Sequence, residues 1–184
     1  MYKTETEIFT QYDALKKTYE YMLGMRDEIK ALSVDAAKGI TFAGCGSSYS
    51  LCKSAAVSAR MRLPGRMSAV AAGDLLINFP YYKNAVKGTL IVSPSRSGST
   101  SEAVLAVKKA RQTLGVKCVS ICARQGSELS KLADLSIELP WAFDESVCQT
   151  RTVTNLYFAQ MLFLAVASGD ETLEKELGEA AEDG

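Results

Sequence analysis

Histidine is absent from all 184 residues, and its absence removes a broad group of mechanisms. Imidazole is the usual base that activates a serine or cysteine nucleophile, so Ser-His and Cys-His pairs are excluded. Zinc would have to be held by cysteines and carboxylates alone, and the chain does not place these at suitable spacings. We therefore expect no metal site, and no motif indicates a cofactor.

Disulfide patterns and long hydrophobic runs are also missing. The five cysteines are odd in number and include no C-x-x-C pair. Because no secretory signal is recognisable either, we expect reduced thiols in a cytoplasmic protein. The most apolar run, residues 156–167, is shorter than the roughly 18 residues that span a bilayer. It is better interpreted as a core helix, which predicts no membrane partner.

Charge of one sign is not in excess, since 21 lysines and arginines balance 21 aspartates and glutamates. This balance does not favour a nucleic-acid partner. The acids are concentrated after residue 169, so the preceding body is mildly positive and suits a phosphorylated substrate. An apolar content of 47% over this length predicts one globular domain with a substantial core.

The most informative stretch is LIVSPSRSGSTSE, residues 90–102. Its apolar start predicts a buried strand, its serine-rich middle a loop, and its end a helix, with Ser99 and Glu102 as a capping box. In open α/β sheets such a loop binds ligands, because the helix N-terminus offers unpaired N–H groups to an anion. Five hydroxyls, Gly98 and Arg96 suit a phosphate. The alternative is a capped turn that binds only water.

Two further loops follow the same logic. Residues 39–43 predict a strand that ends in GCGSS, residues 44–48, before a helix over 49–61. A dinucleotide fingerprint would need a third glycine where Tyr49 stands and an acid about 20 residues later, so NAD binding is rejected.

The third loop, DESVCQT at residues 144–150, precedes a helix predicted over 150–167. Arg151 at that helix start predicts a carboxylate partner, Asp144 or Glu145.

The segments SRSGST (95–100), GCGSS (44–48) and ESVCQTR (145–151) together resemble the sugar isomerase (SIS) domain family. They are most similar to the first domain of its tandem enzymes: glucosamine-6-phosphate synthase, tagatose-6-phosphate ketose/aldose isomerases with aminosugar-phosphate deaminases, and fructosamine-6-phosphate deglycases. The resemblance implies a phosphosugar or aminosugar phosphate as ligand. It also implies these contact residues: Gly46, Ser47, Ser48, Ser95, Arg96, Ser97, Gly98, Thr100, Val147 and Gln149.

The repeated strand and helix units predict an α/β fold with a parallel sheet covered on both faces. The resemblance implies a three-layer α/β/α sandwich whose five strands follow the flavodoxin-like order. Strands are expected over 39–43, 67–72, 90–93, 116–122 and 135–139. Helices are expected over 73–80, 102–114, 127–133, 150–167 and 171–181, with a surface loop at 81–83.

The chain is expected to divide into an N-terminal helical segment (1–34), the SIS domain (35–168) and an acidic C-terminal helix (169–184). In the N-terminal segment, apolar residues recur at steps of four and three and predict an amphipathic helix that covers a core or a dimer partner. These residues are Ile8, Tyr12, Leu15, Tyr19 and Met22.

Moving a carbonyl between C1 and C2 of a sugar phosphate requires a base, and this sequence has no obvious one. Three functions therefore remain open. The chain is the binding half of an isomerase or deaminase completed by a second SIS domain, a homodimeric isomerase that uses Asp144 or Glu145 as base, or a non-enzymatic phosphosugar sensor. Glu145 is the residue we expect as base, and the first function is favoured because the third loop resembles the enzyme branch.

Overall fold

The computed structural model describes residues 2–183, which form a five-stranded parallel sheet with helices on both faces. The strand order is β2-β1-β3-β4-β5, so the predicted α/β/α class and flavodoxin-like order are confirmed. The observed strand ends lie within two residues of the expected ones. The strands are β1 (Gly39–Gly44), β2 (Arg66–Ala71), β3 (Leu90–Ser95), β4 (Cys118–Cys122) and β5 (Leu135–Glu138).

Helices precede, connect and follow the strands. Four lie before the sheet: α1 (Lys3–Phe9), α2 (Gln11–Gly24), α3 (Arg26–Lys30) and α4 (Ser33–Lys38). Five connect strands: α5 (Ser47–Arg62), α6 (Ala72–Ile77), α7 (Phe79–Val86), α8 (Ser101–Leu114) and α9 (Glu128–Leu132). After β5 come a short 3-10 turn (Pro140–Ala142), α10 (Arg151–Ser168) and α11 (Glu171–Asp183).

Two hydrophobic clusters cover the faces of the sheet. Ile40 and Phe42 of β1 contribute to the cluster that contains α5, α10 and the buried side of α2. Ala43 of the same strand contributes to the other cluster, with α6, α7, α8 and α9. This alternation follows from the two-residue period of a strand. Of the helices that connect strands, α5 lies on the first face, and α6, α7, α8 and α9 lie on the other.

The α10 helix is the most buried helix of the fold and packs against α2, α5 and α11. Leu156, Leu162 and Phe163 are fully buried, so the expected core helix is confirmed. Within residues 2–183, no helix is long and apolar enough to cross a membrane.

The N-terminal stripe is only partly as expected. Leu15 and Met22 are buried within the chain, but Ile8 and Tyr12 are 43% and 44% exposed. The expected single helix breaks at Thr10, whose φ and ψ of −100° and 7° separate α1 from α2. This break turns α1 so that Glu7, rather than Ile8, faces the protein interior.

The prediction of a surface loop at residues 81–83 is wrong, because this segment lies within α7. Pro80 does not end the preceding helix, as the sequence predicts, but occupies the first turn of α7. Proline is tolerated there because the first N–H groups of a helix have no intrahelical acceptor. Tyr81 is nevertheless 87% exposed, so the prediction of a surface position was correct.

Candidate functional site

The candidate site lies in a crevice where β1 and β3 separate. These strands are paired over Ile40–Phe42 and Leu90–Val92, but β3 continues to Ser95. Pro94 has no N–H to donate, so it can sit in β3 only because β1 is no longer paired there. The helices that follow β1 and β3 lie on opposite faces of the sheet, which is the arrangement that opens a ligand crevice in doubly wound folds.

The turn after β3 is built by its own hydroxyl groups. Ser95 Oγ accepts the N–H of Gly98 at 3.0 Å, and Ser97 Oγ accepts the N–H of Ser99 at 3.2 Å. The prediction of a capping box formed by Ser99 and Glu102 is wrong, because α8 begins at Ser101 and its N-cap residue is Thr100. No side chain caps this helix, so its first N–H groups remain available to an anion in the crevice.

Gly98 is required by the shape of this turn. Its φ is +61°, a conformation that residues with a Cβ rarely adopt. A Cβ at this position would lie 2.1 Å from Ser127 Oγ and 2.4 Å from Ser127 Cβ. The Gly98 carbonyl also accepts the N–H of Leu129 at 2.9 Å, which ties the turn to α9.

The turn after β1 opens α5 beside the same crevice. Gly46 is its N-cap residue, with a φ of +56°, and Ser47 and Ser48 are the first residues of the helix. Ser48 is buried and Ser47 is exposed. Gln149 Nε2 of the third loop donates to Ser47 Oγ at 3.3 Å, so the first and third loops are in contact.

Side chains from all three loops line one cavity of about 120 Å³. Six of the predicted contact residues are among its lining: Ser48, Ser95, Arg96, Ser97, Thr100 and Gln149. Cys45, Pro94 and Ala103 complete it, so Arg96 is the one charged side chain that lines it among residues 2–183. Neutral hydroxyl donors, one cation and a helix N-terminus form a suitable environment for a phosphate.

The other four predicted contact residues lie around this cavity rather than in its lining. Gly98 is buried in the turn, whereas Gly46 and Ser47 are exposed at the start of α5. Val147 is 91% exposed and extends from the third loop into solvent.

Glu145 is not in this cavity. Its carboxylate pairs with Lys3 Nζ at 2.5 Å and lines a separate groove beside α1. The hydrogen bond from Lys3 and the Glu145 charge together raise the pKa of Lys3. The structure therefore brings the expected base together with a lysine of α1, not with the serine-rich turn.

Asp144 is fully buried and organises the start of α10. Its Oδ2 accepts the N–H groups of Thr150 and Thr152 at 2.7 and 2.9 Å. Its Oδ1 lies 3.6 Å from Arg151 Nε, so the carboxylate partner predicted for Arg151 is Asp144. These contacts leave Asp144 committed to holding the third loop on α10.

Glu7 is a buried residue of α1 that sequence reasoning missed. Its Oε1 accepts the N–H groups of Glu145 and Ser146 at 2.8 and 3.1 Å, and Ser146 Oγ donates to its Oε2. Burial acts to raise the pKa of Glu7, but the hydrogen bonds from Ser146 and Glu145, with the Arg151 charge, outweigh it and lower the pKa. Its partners lie far along the chain, so no local pattern marked it.

Cys45 brings a free thiol to the cavity wall. Burial, with a contribution from the Glu102 charge, raises the pKa of this thiol above its usual range. It is therefore protonated at neutral pH and acts there as a small apolar group rather than as a nucleophile.

The sequence model of the SIS domain family matches residues 34–167, and the chain belongs to this family. Among curated proteins it is 30% identical over 145 residues to the isomerizing glutamine–fructose-6-phosphate aminotransferase of Leifsonia xyli, covering 78% of this chain and 21% of that protein. It is 27% identical to the Helicobacter pylori aminotransferase of the same name, over 95% of this chain and 28% of that protein.

Solved structures share the fold. The C-terminal domain of glucosamine-fructose-6-phosphate aminotransferase from Francisella tularensis superposes with a TM-score of 0.81 at 22% identity, over 100% of this chain and 52% of that chain. Escherichia coli tagatose-6-phosphate ketose/aldose isomerase gives 0.80 at 22% identity, over 98% and 51%. The chain thus spans about half of these structures and less than a third of the curated relatives.

Proposed function

We propose that this chain binds a phosphorylated sugar or aminosugar in the three-loop cavity and takes part in aldose–ketose isomerisation or aminosugar-phosphate deamination. The observation that carries the proposal is the convergence of Ser95, Ser97 and Thr100 with Arg96 on one cavity beside the uncapped N-terminus of α8. The phosphate would accept hydrogen bonds from the hydroxyls and the helix N–H groups, while Arg96 compensates its charge.

The size of the cavity suggests how the ligand would lie. Small-molecule sites usually measure about 300–1,000 Å³, so a cavity of about 120 Å³ holds the phosphate and only part of the sugar. The remaining part would extend past Ser48 and Gln149 toward Ser47 and Val147 at the mouth. A second protein surface would then be needed to enclose the reacting carbons.

This incompleteness supports a role as the binding half of a larger enzyme. Residues 2–183 offer no carboxylate in the cavity lining, and the chain has no histidine to assist ring opening. We propose that the base and acid come from a second SIS domain or another subunit, in the cytoplasm. The division into residues 1–34, 35–168 and 169–184 belongs to this proposal, with 35–168 as the phosphosugar-binding unit.

Two other functions compete with this proposal. A homodimeric isomerase that uses Glu145 would need that carboxylate to leave Lys3 and approach a cavity it does not line. A non-enzymatic sensor would use the cavity as it stands. The sensor is the second candidate, because the described part of the cavity contains binding groups but no base.

Calorimetric titration with glucosamine 6-phosphate, fructose 6-phosphate and tagatose 6-phosphate tests the proposed binding. Unphosphorylated glucosamine and inorganic phosphate are the controls. Binding that requires both phosphate and sugar is expected, and no binding to any of these compounds would overturn the proposal. Isomerisation or ammonia release by the chain alone would favour the self-sufficient isomerase, and binding without turnover is the result expected for half of an enzyme.

A further inference from the structure

We infer that Glu7 is a positioning residue for the phosphate site: it anchors the third loop to α1 and, through Ser146, fixes the guanidinium of Arg96. This inference rests on the proposed function, since Arg96 is the cation we assign to the phosphate. Glu7 itself does not line the cavity. It acts indirectly, through Ser146, whose carbonyl oxygen holds the Arg96 guanidinium.

Glu7 is 5% exposed, and both oxygens of its carboxylate accept hydrogen bonds from the third loop. One oxygen accepts the N–H groups of Glu145 and Ser146, and the other accepts the Ser146 hydroxyl. Burying a carboxylate is unfavourable unless hydrogen bonds replace its lost water. These three bonds supply that replacement, so the position of the loop and the burial of Glu7 depend on each other.

Ser146 transmits the constraint to the phosphate site. While its N–H and hydroxyl bind Glu7, its carbonyl oxygen accepts Arg96 Nη1 at 2.7 Å. An arginine side chain has several rotatable bonds, and this hydrogen bond selects the conformations that keep the guanidinium at the cavity. If the third loop moved, Arg96 would lose the acceptor that holds it.

The packing of α1 supports this role for its polar contact. Of the residues in α1, Glu7 is the one that is buried. Ile8 and Phe9 are 43% and 71% exposed, so their apolar side chains contribute little to holding the helix in place. A helix whose buried side chain is a carboxylate bonded to a loop is suited to positioning that loop.

Calorimetric titration of the full chain compares three substitutions, using whichever of the three phosphosugars the wild type binds. Glu7→Ala should weaken binding about tenfold or more, because the loop loses charge-assisted hydrogen bonds. Glu5→Ala, on an exposed position of the same helix, should bind like the wild type. Glu7→Gln should stay within about threefold, because its amide oxygen accepts both N–H groups and its NH₂ donates to the Ser146 hydroxyl.

A double-mutant cycle separates positioning from a general loss of stability. If Glu7 acts through Arg96, then Glu7→Ala made in an Arg96→Ala background should weaken binding by less than about threefold. Equal losses in both backgrounds would overturn the inference, as would wild-type affinity in Glu7→Ala. Thermal unfolding of each variant shows that the protein measured is folded.

Amide hydrogen exchange without ligand distinguishes this inference from the proposed function. Exchange at Ser146 should rise about tenfold or more in Glu7→Ala and remain near the wild-type rate in Glu7→Gln. If no phosphosugar binds the wild type, the proposed function fails and the role of Glu7 at a phosphate fails with it, whatever the exchange shows. If the wild type binds and exchange is unchanged in Glu7→Ala, the inference alone is overturned.

Discussion

Arg96 and Ser146 are 50 residues apart in sequence, and the Nη1 of one donates to the carbonyl oxygen of the other at 2.7 Å. This bond joins the serine-rich turn after β3 to the loop before α10. The guanidinium is therefore held at the cavity before any ligand arrives. Less conformational entropy is lost on binding when a group is already in place.

The hydroxyls of Ser97 and Thr100 give the most direct test of the phosphate assignment. Both line the cavity, and Thr100 makes no capping bond to α8. Ser97→Ala and Thr100→Val should each weaken phosphosugar binding about tenfold, as expected for a hydrogen bond to a charged group. Calorimetry measures the affinity. Thermal unfolding should change little for Thr100→Val and should fall slightly for Ser97→Ala, which also loses the bond from the Ser99 N–H.

Ser99→Ala is the matched control, because Ser99 is exposed in the same turn and does not line the cavity. Its affinity should equal that of the wild type. If Ser97→Ala and Thr100→Val also bind like the wild type, the phosphate is not held by this turn.

Gly98→Ala should destabilise the fold by roughly 2–5 kcal/mol, from left-handed backbone strain and from overpacking. The overpacking arises because the added Cβ would lie 2.1 Å from Ser127 Oγ. Gly115→Ala is the control, since Gly115 has a similar φ of +65° but no heavy atom within 4 Å of its Cβ position. It should lose only about 1–2 kcal/mol. If urea unfolding shows the same loss of unfolding free energy for both variants, then Ser127 moves to accommodate the added Cβ.

The thiol of Cys45 offers a chemical probe of occupancy. In a Cys148→Ser background, which removes the exposed cysteine, iodoacetamide should label Cys45 slowly because burial raises the pKa of its thiol. Cys52 should not react, since burial raises the pKa of its thiol to about 12. A saturating phosphosugar should slow the labelling of Cys45 several-fold by mass spectrometry. If the labelling rate of Cys45 is the same with and without the phosphosugar, the sugar does not bind beside this thiol.

Glu145→Gln tests the remaining candidate base in the chain. Because Glu145 pairs with Lys3 outside the cavity, we expect phosphosugar affinity and any turnover to be unchanged. An assay of isomerisation and ammonia release checks turnover, and calorimetry checks binding. Complete loss of turnover with affinity intact would instead identify Glu145 as the base.

The buried carboxylate of Glu7 should make stability depend on pH. Its pKa is lower in the folded protein than the ordinary value of 4.5, so its contribution is present above pH 4.5. That contribution is lost as the pH falls through the lower, folded value. Lys3 and Glu145 share its groove, and Arg151 adds a positive charge to its surroundings, so all three belong to the same electrostatic environment.

Urea unfolding of the wild type and Glu7→Gln at pH 7 and pH 3 measures this effect. The amide does not titrate, so the stability advantage of the wild type should shrink at the lower pH. A constant difference across this range would mean that Glu7 keeps its ordinary pKa on folding.

The sheet and its loops could be predicted because their signals are local. Apolar strands such as Leu90–Val92 are followed at once by turn residues and then by helical periodicity, so strand, loop and helix are read from neighbouring residues. The same locality explains the errors. Ser99 and Glu102 fit a capping box by spacing, but the turn is instead fixed by Ser95 and Ser97, and α8 starts one residue after Thr100.

The contacts that complete the site depend on tertiary structure. Glu7 stands next to the apolar positions of the N-terminal stripe, and only the break at Thr10 turns it inward. Its partners Glu145 and Ser146 lie 138 and 139 residues later in the sequence. No periodicity in the sequence distinguishes such a glutamate from the solvated acids around it.

The bond from the Ser146 N–H to Glu7 spans 139 residues, and this separation sets the order in which the site matures during synthesis. The ribosome releases α1 before the turns after β1 and β3, and the third loop only after β1 to β5 have emerged. Until that loop arrives, Glu7 has no partner and Arg96 no anchor. The position of Arg96 can therefore become fixed only after the third loop has been synthesised.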